Sequence, residues 1–133
     1  MFEVYNRSIQ SDKNHLVNID IKATNDKLCF NCFFVVDYIK TIFTGEFSIE
    51  ELKAKSNYYR QYNDANQIIR DIRNNGTGRG INIKEKNDKI IIILPMNSAN
   101  YDPIELSLNK KVKSDQEIIR DYKEALEKYK NEI

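Results

Sequence analysis

Apolar residues change their spacing several times along this chain, and the last change is the most restrictive. Val112, Ile119, Leu126 and Ile133 recur at every seventh position, and Tyr122 and Tyr129 fall at the matching position between them. A repeat of seven with two apolar positions is the pattern of a helix that supercoils around another helix. Ser114 followed three residues later by Glu117 is a capping box, so the helix is expected to open there, with Asp115 the one polar exception in the seam. It runs to Ile133, roughly 20 residues or about 30 Å. The competing reading is that this stripe packs on the chain's own sheet. The strict three-four step favours pairing with a second copy, as do the charged residues on the other faces, among them Arg120, Asp121, Lys123, Glu124, Glu127, Lys128 and Lys130. Two heptads alone are marginal in water, so a folded neighbour has to nucleate the coil. The seam reaches the last residue, and the expectation is a stalk that continues.

The rest of the chain has strand and helix periods. Val17, Ile19, Ile21 and Ala23 alternate with Asn18, Asp20 and Lys22, which predicts a half-buried strand. Leu28 to Val36 is apolar on both parities and predicts a central strand covered on both faces. Thr24, Asn25 and Asp26 supply the turn between them. Phe2 to Ser8 and Tyr38 to Phe43 complete a meander of four strands, with Thr44 and Gly45 read as its end. Ser48 with Glu51 caps a helix carrying Ile49, Leu52 and Tyr59 on one stripe. Asp64 with Gln67 caps a second helix, whose buried face is Ala65, Ile68, Ile69 and Ile72 and whose stop is Asn74 to Gly76. Strand patterns return at Ile81 to Lys84, Lys89 to Leu94 and Ile104 to Asn109. The fold class is therefore α+β: a small antiparallel β-sandwich or barrel head over 1–111, with a helical hairpin inserted at about 48–75. The stalk helix begins within 112–133.

With 133 residues the chain supports one domain with a modest core. Its formal net charge of +1 argues against a strongly basic nucleic-acid surface. No window approaches the ~18 apolar residues of a membrane span, and Met1 to Gln10 lacks the pattern of a signal peptide, so a soluble, intracellular protein is expected.

Chemistry-bearing residues are few. Cys29 and Cys32 have the C-x-x-C spacing of redox and zinc motifs, but residues three apart on a strand point to opposite faces. No second ligand pair exists for zinc, and no helix N-terminus follows to acidify a thiol, so both are read as buried structural thiols. His15 lies in a polar turn and is read as a surface histidine without a partner. The run Asn75 to Gly80 is glycine-rich but follows a helix and precedes a strand, the reverse of a phosphate cradle, and is read as a connector. Glu50 and Glu51 complement a helix dipole and are not a catalytic dyad. Lys84, Lys86, Lys89, Lys110, Lys111 and Lys113 form a basic scatter. It is either an ordinary solvated face or a contact for an acidic partner or nucleic-acid backbone, with Lys110, Lys111 and Lys113 at its centre. No nucleophile, base and orienting group can be assembled, so catalysis, metal and cofactors are not expected.

The order of strands, a helical hairpin opened by F-S-I-E-E-L (Phe47 to Leu52), more strands and a terminal heptad helix resembles the head-and-stalk superfamily of the centriolar cartwheel protein and the DNA end-joining scaffold proteins. The resemblance covers essentially the whole chain through order and pattern. It implies a β-sandwich head on a parallel dimeric coiled coil seamed by Val112, Ile119, Tyr122, Leu126, Tyr129 and Ile133. The segment Asn97 to Leu108 looks most like the last hairpin of the cartwheel head, where an apolar tip residue enters a pocket on a second head. By position Tyr101 is that residue, with Ile104, Leu106 and Leu108 on the core face, although Pro103 and the tyrosine hydroxyl depart from the family pattern. An ordinary loop tyrosine is the other reading of Tyr101. Alternating two isologous contacts, coil and head, would build a ring or a filament.

The resemblance thus implies a non-enzymatic, self-associating scaffold of the cytoskeleton, in a centriole or cilium, whose partners are further copies and other scaffold proteins. Two alternatives are a nuclear DNA-repair scaffold and a peptide- or small-ligand-binding β-sandwich module. Direct nucleic-acid binding is not the leading expectation, and none is held for a membrane.

Overall fold

The alternation along 17–23 does place Val17, Ile19, Ile21 and Ala23 on one side. In the computed structural model, which describes residues 2–75, 80–94 and 100–132, all four are buried. They belong to β2 (Leu16–Ala23), which pairs antiparallel with β1 (Val4–Gln10) and β3 (Lys27–Val36). β3 pairs in turn with β4 (Ile39–Ser48), completing the expected meander. The turn between β3 and β4 is the residue pair Asp37 and Tyr38, both with left-handed φ, 52° and 66°. Positive φ at both central residues matches the twist of a two-residue hairpin. Tyr38 is therefore a turn residue, not the first residue of the strand.

β5 (Asn82–Lys86), β6 (Lys89–Leu94) and β7 (Ile104–Lys110) extend the same sheet, in the order β1-β2-β3-β4-β7-β6-β5. The result is α+β, with one antiparallel seven-stranded sheet curled into a half-barrel. The curl brings the two edge strands together: Asp12 N, in the turn after β1, donates to Ile83 O of β5 at 3.1 Å.

β4 runs past the expected end at Phe43. Gly45 is a strand residue opposite Phe30, and a Cβ there would sit 2.6 Å from Leu108 Cδ2 and 3.3 Å from Phe47 Cε2. Glycine marks a close approach of β7 here, one of its ordinary uses within a strand. β3 is central, yet it is covered on one face only. Leu28, Phe30 and Cys32 are buried, Cys29 and Phe33 are half-exposed, and Val35 is exposed. The expectation of two covered faces fails because the half-barrel leaves its convex side open.

The concave side is filled by the helical insert. Ser48 Oγ accepts from Glu51 N at 3.1 Å and opens α1 (Ile49–Lys55). Ser56 Oγ accepts from Tyr58 N at 3.2 Å and opens a short 3₁₀ helix (Asn57–Gln61), so Tyr59 belongs to that turn and not to α1. Asp64 Oδ1 accepts from Gln67 N at 3.1 Å before α2 (Ala65–Asn75), while Gln67 Oε1 reaches back to Asn63 N at 2.7 Å. Capping of this kind contributes ~1 kcal/mol per helix end. The main energy is burial: Leu52, Tyr59, Ile68 and Ile69 lie in one core with Ile19, Ile21, Leu28, Ile90, Ile92 and Leu106. Gly76, expected to stop α2, and most of the glycine-rich run lie outside the described residues.

Arg70 and Arg73 of α2 grip the chain ahead of β1. Arg73 Nη2 reaches Glu3 Oε2 at 2.9 Å and Val4 O at 2.8 Å, and Arg70 Nε reaches Glu3 Oε1 at 3.2 Å. The two guanidinium groups hold the Glu3 carboxyl below the usual carboxylate range, Arg73 foremost. A carboxyl lowered in the folded state contributes stability above its unfolded pKa and loses it as pH falls through the folded value.

The last element, α3 (Asp115–Glu132), follows β7 after four residues. Its capping box is formed as expected, with Glu117 N donating to Ser114 Oγ at 3.2 Å.

Candidate functional site: the open face of the terminal helix

α3 lies beside β4 and touches the half-barrel along one edge. Asp121 and Ile118 share a helix face with Ala125, lying four and seven residues before it. Ala125 is buried at 8% exposure, and Asp121 is half-buried. A lysine ahead of the helix fixes this contact. Lys113 Nζ donates to Asp121 Oδ2 at 2.6 Å and to Lys40 O of β4 at 2.5 Å, and its side chain is only 18% exposed. One ammonium thus joins the helix to the strand edge, with charge-assisted hydrogen bonds on both sides.

The heptad stripe faces elsewhere. Ile119, Tyr122, Leu126 and Tyr129 are 55%, 62%, 53% and 56% exposed, a row of large apolar groups left in solvent. These exposures do not fit the reading in which α3 buries the stripe on its own sheet, although Tyr122 also borders the cleft against β4. Val112 is 92% exposed but precedes the helix, so it is not a seam residue within α3; the cap at Ser114 comes between. Ile133 lies outside the described residues.

The basic patch is altered by the same contacts. Lys113 is committed to Asp121 and Lys40 O and is not available as a free cation. Lys110 Nζ lies 3.9 Å from Asp88 Oδ1, a loose surface pair, and Lys111 uses its backbone N to donate to Ile42 O at 2.8 Å. The three lysines do not form one open cationic surface.

Tyr101 is 41% exposed, and its ring meets Tyr58 edge-on at 5.4 Å. Tyr58, Tyr59 and Tyr62 continue that aromatic cluster, and the Tyr58 hydroxyl donates to the Asp71 carboxylate at 2.9 Å. Tyr101 is therefore half-packed on its own chain. Residues 95–99, which precede it, lie outside the described ones.

His15, expected without a partner, has two. Its Nδ1 is 2.8 Å from Glu85 Oε2, and its ring stacks on Phe34 at 4.5 Å. Glu85 also accepts from the Ser11 hydroxyl, which is buried, and Glu85 N donates to Asp12 Oδ1 at 2.9 Å. This cluster clasps the β1–β2 turn to β5. The serine meets the carboxylate and not the imidazole, so the order of a nucleophile–base–acid relay is missing. The sequence separation of 70 residues between His15 and Glu85 hid the pairing.

Cys32 is buried, and burial pushes its thiol up to about 12. Cys29, on the opposite face as strand geometry requires, is half-exposed, not buried, and its thiol is also raised, by burial first and then by Glu46. Neither is activated as a nucleophile or metal ligand. Among the described residues no group of three or more His, Cys, Asp or Glu side chains could hold a metal ion, and no helix is long and apolar enough to cross a membrane.

The class defined by this geometry is an α+β domain whose terminal helix presents an unpartnered apolar row. Comparison with protein-family models and with curated proteins returned no match.

Proposed function

We propose that this protein is a self-associating structural scaffold that dimerises in parallel through the Ile119, Tyr122, Leu126 and Tyr129 stripe of α3. On this reading the half-barrel is a β-sandwich-like head and α3 is the start of a coiled-coil stalk, the arrangement of the head-and-stalk superfamily. The observation that carries it is the orientation of α3: the helix is docked by Asp121 and Ala125 while its heptad row stays open. A row of four half-exposed large side chains on one helix is the kind of surface that marks an interaction site.

The contact has to be weak in this chain. Burying eight half-exposed side chains gains ~1 kcal/mol each, about 8 kcal/mol in all, against at least ~4 kcal/mol of lost translational and rotational freedom. The balance of ~4 kcal/mol corresponds to a dissociation constant of roughly 1 mM. Head contacts through Tyr101 would add to order only through linkage along the stalk. The assembly would serve as a cytoskeletal scaffold of the centriolar or ciliary kind. A DNA-repair scaffold gains nothing from the basic patch, since Lys113 is already tied.

Sedimentation equilibrium over a concentration series tests the proposal. The mass should rise from 15.7 kDa toward twice that value as concentration approaches roughly 1 mM, and Tyr101→Glu should leave this rise intact. A mass fixed at one chain throughout contradicts it.

A further inference from the structure

β4 and β7 pair only at Phe43 with Lys110 and Thr44 with Asn109. β7 ends at Lys110, Lys111 N still reaches Ile42 O, α3 stands beside the first residues of β4, and a cleft of about 640 Å³ opens between them. That volume falls within the ~300 to 1,000 Å³ usual for sites that enclose small organic molecules. Its floor and walls carry Ile39, Ile42, Ile118 and Tyr122, with the exposed Val112 at its rim. Around them stand five lysines, Lys40, Lys89, Lys110, Lys111 and Lys113, against two aspartates, Asp88 and Asp121.

The aspartates are already matched. Asp121 is held by Lys113 at 2.6 Å and Asp88 lies 3.9 Å from Lys110. Lys40 Nζ sits 4.2 Å above the Phe33 ring on the convex face. Lys89 and Lys111 are exposed, so the rim keeps a positive excess above an apolar floor. Such a site selects a molecule that is apolar along its body and negative at one end.

The free edge of β4 decides between a peptide strand and a compact ligand. A strand added to a sheet edge needs the edge carbonyls as acceptors. Here Lys40 O accepts from Lys113 Nζ and Ile42 O accepts from Lys111 N. With both carbonyls occupied, recognition has to come from side chains.

We propose that the cleft between α3 and the β4 edge is a binding site for an amphiphilic organic anion, its apolar body on Ile39, Ile42, Ile118 and Tyr122 and its carboxylate or sulfonate at Lys89 and Lys111. Tyr122 is shared with the proposed seam, so the titration is run at a protein concentration where the chain is monomeric, while Ile39, Ile42, Lys89 and Lys111 belong to the cleft alone. Dodecanoate is the probe, and dodecyltrimethylammonium, with the same chain length and the opposite charge, is its control.

Titration followed by amide chemical shifts should give saturable one-to-one binding of dodecanoate, with the changes confined to Ile39, Ile42, Lys111, Ile118 and Tyr122. The double variant Lys89→Glu/Lys111→Glu should bind about tenfold more weakly or worse, the effect of reversing two rim charges. Val112→Asp, at a solvent-facing position that leaves the fold untouched, should also weaken it. Three results overturn the proposal: equal binding of the cationic control, no cleft shifts up to roughly 1 mM, or changes spread over the convex face at Leu16 and Val35. Tyr122 also belongs to the proposed seam, so concentration-dependent shifts without probe are read at Ile39 and Ile42 on the β4 side, and shifts there overturn the proposal and assign the cleft to a second copy. The ligand result and the sedimentation result can fail separately.

Discussion

Leu126→Glu is expected to leave the half-barrel folded and to weaken self-association by about 100-fold, so that the chain sediments as a monomer at every practical concentration. Leu126 is 53% exposed and projects away from the edge that docks α3, so its replacement removes no packing from the head. In a parallel pair the two copies of position 126 face each other across the seam. Losing two leucines there forfeits ~2 kcal/mol, bringing two carboxylates together costs ~1 kcal/mol more, and each 1.4 kcal/mol is about tenfold. Circular dichroism of the monomer should keep its strand signal. If Leu126→Glu instead unfolds the domain, the residue is structural and the open stripe has been misassigned.

The second large effect is on stability. Ile68→Ala is expected to cost ~2 to 5 kcal/mol, the range for truncating a fully buried aliphatic side chain in a close-packed core. Ile68 is completely buried, and α2 shares one core with strands from both halves of the sheet. Thermal unfolding of this variant should therefore remain a single transition, shifted down, because the helical insert and the sheet have no separate cores. A split transition, with the sheet melting near its original temperature, would mean that the insert is an accessory and not the filling of the half-barrel.

Where the sequence predicted well, one local rule was enough. Alternation placed Val17, Ile19, Ile21, Ile104, Leu106 and Leu108 correctly because pleat geometry forces period two. The three helix starts followed from Ser48, Asp64 and Ser114, each with an acidic or amide residue three positions on. Several of the failures involve partners distant in the chain. Gly45 read as a strand end, since nothing local announces that Leu108 will approach it. Leu28 to Val36 read as doubly covered, since the apolar pattern of β3 does not say which faces the sheet's curl will close.

The candidate site divides in the same way. Periodicity predicted the heptad stripe, and Ile119, Tyr122, Leu126 and Tyr129 of α3 are exposed. Val112 fitted the count but not the cap, because a sevenfold interval continues across a helix start that only Ser114 reveals. The docking of α3 through Lys113, Lys40 O and Asp121 was hidden. Lys113 lies eight residues from Asp121 and outside the helix, so no helical spacing links them, and the sequence shows it only as one of several neighbouring lysines. His15 was misread for a similar reason: Glu85 reaches it only when the sheet curls.

Disulfide trapping tests the pairing of α3 most directly. In a Cys29→Ser background, Ile119→Cys and Tyr129→Cys are prepared separately and oxidised alone and as a mixture. A parallel seam brings each position onto its own copy, so each variant should give a covalent dimer by itself, with few mixed links. Links that form only between the two variants would reverse the direction of the helices, and no links at all would mean that the open row of α3 does not meet a second chain.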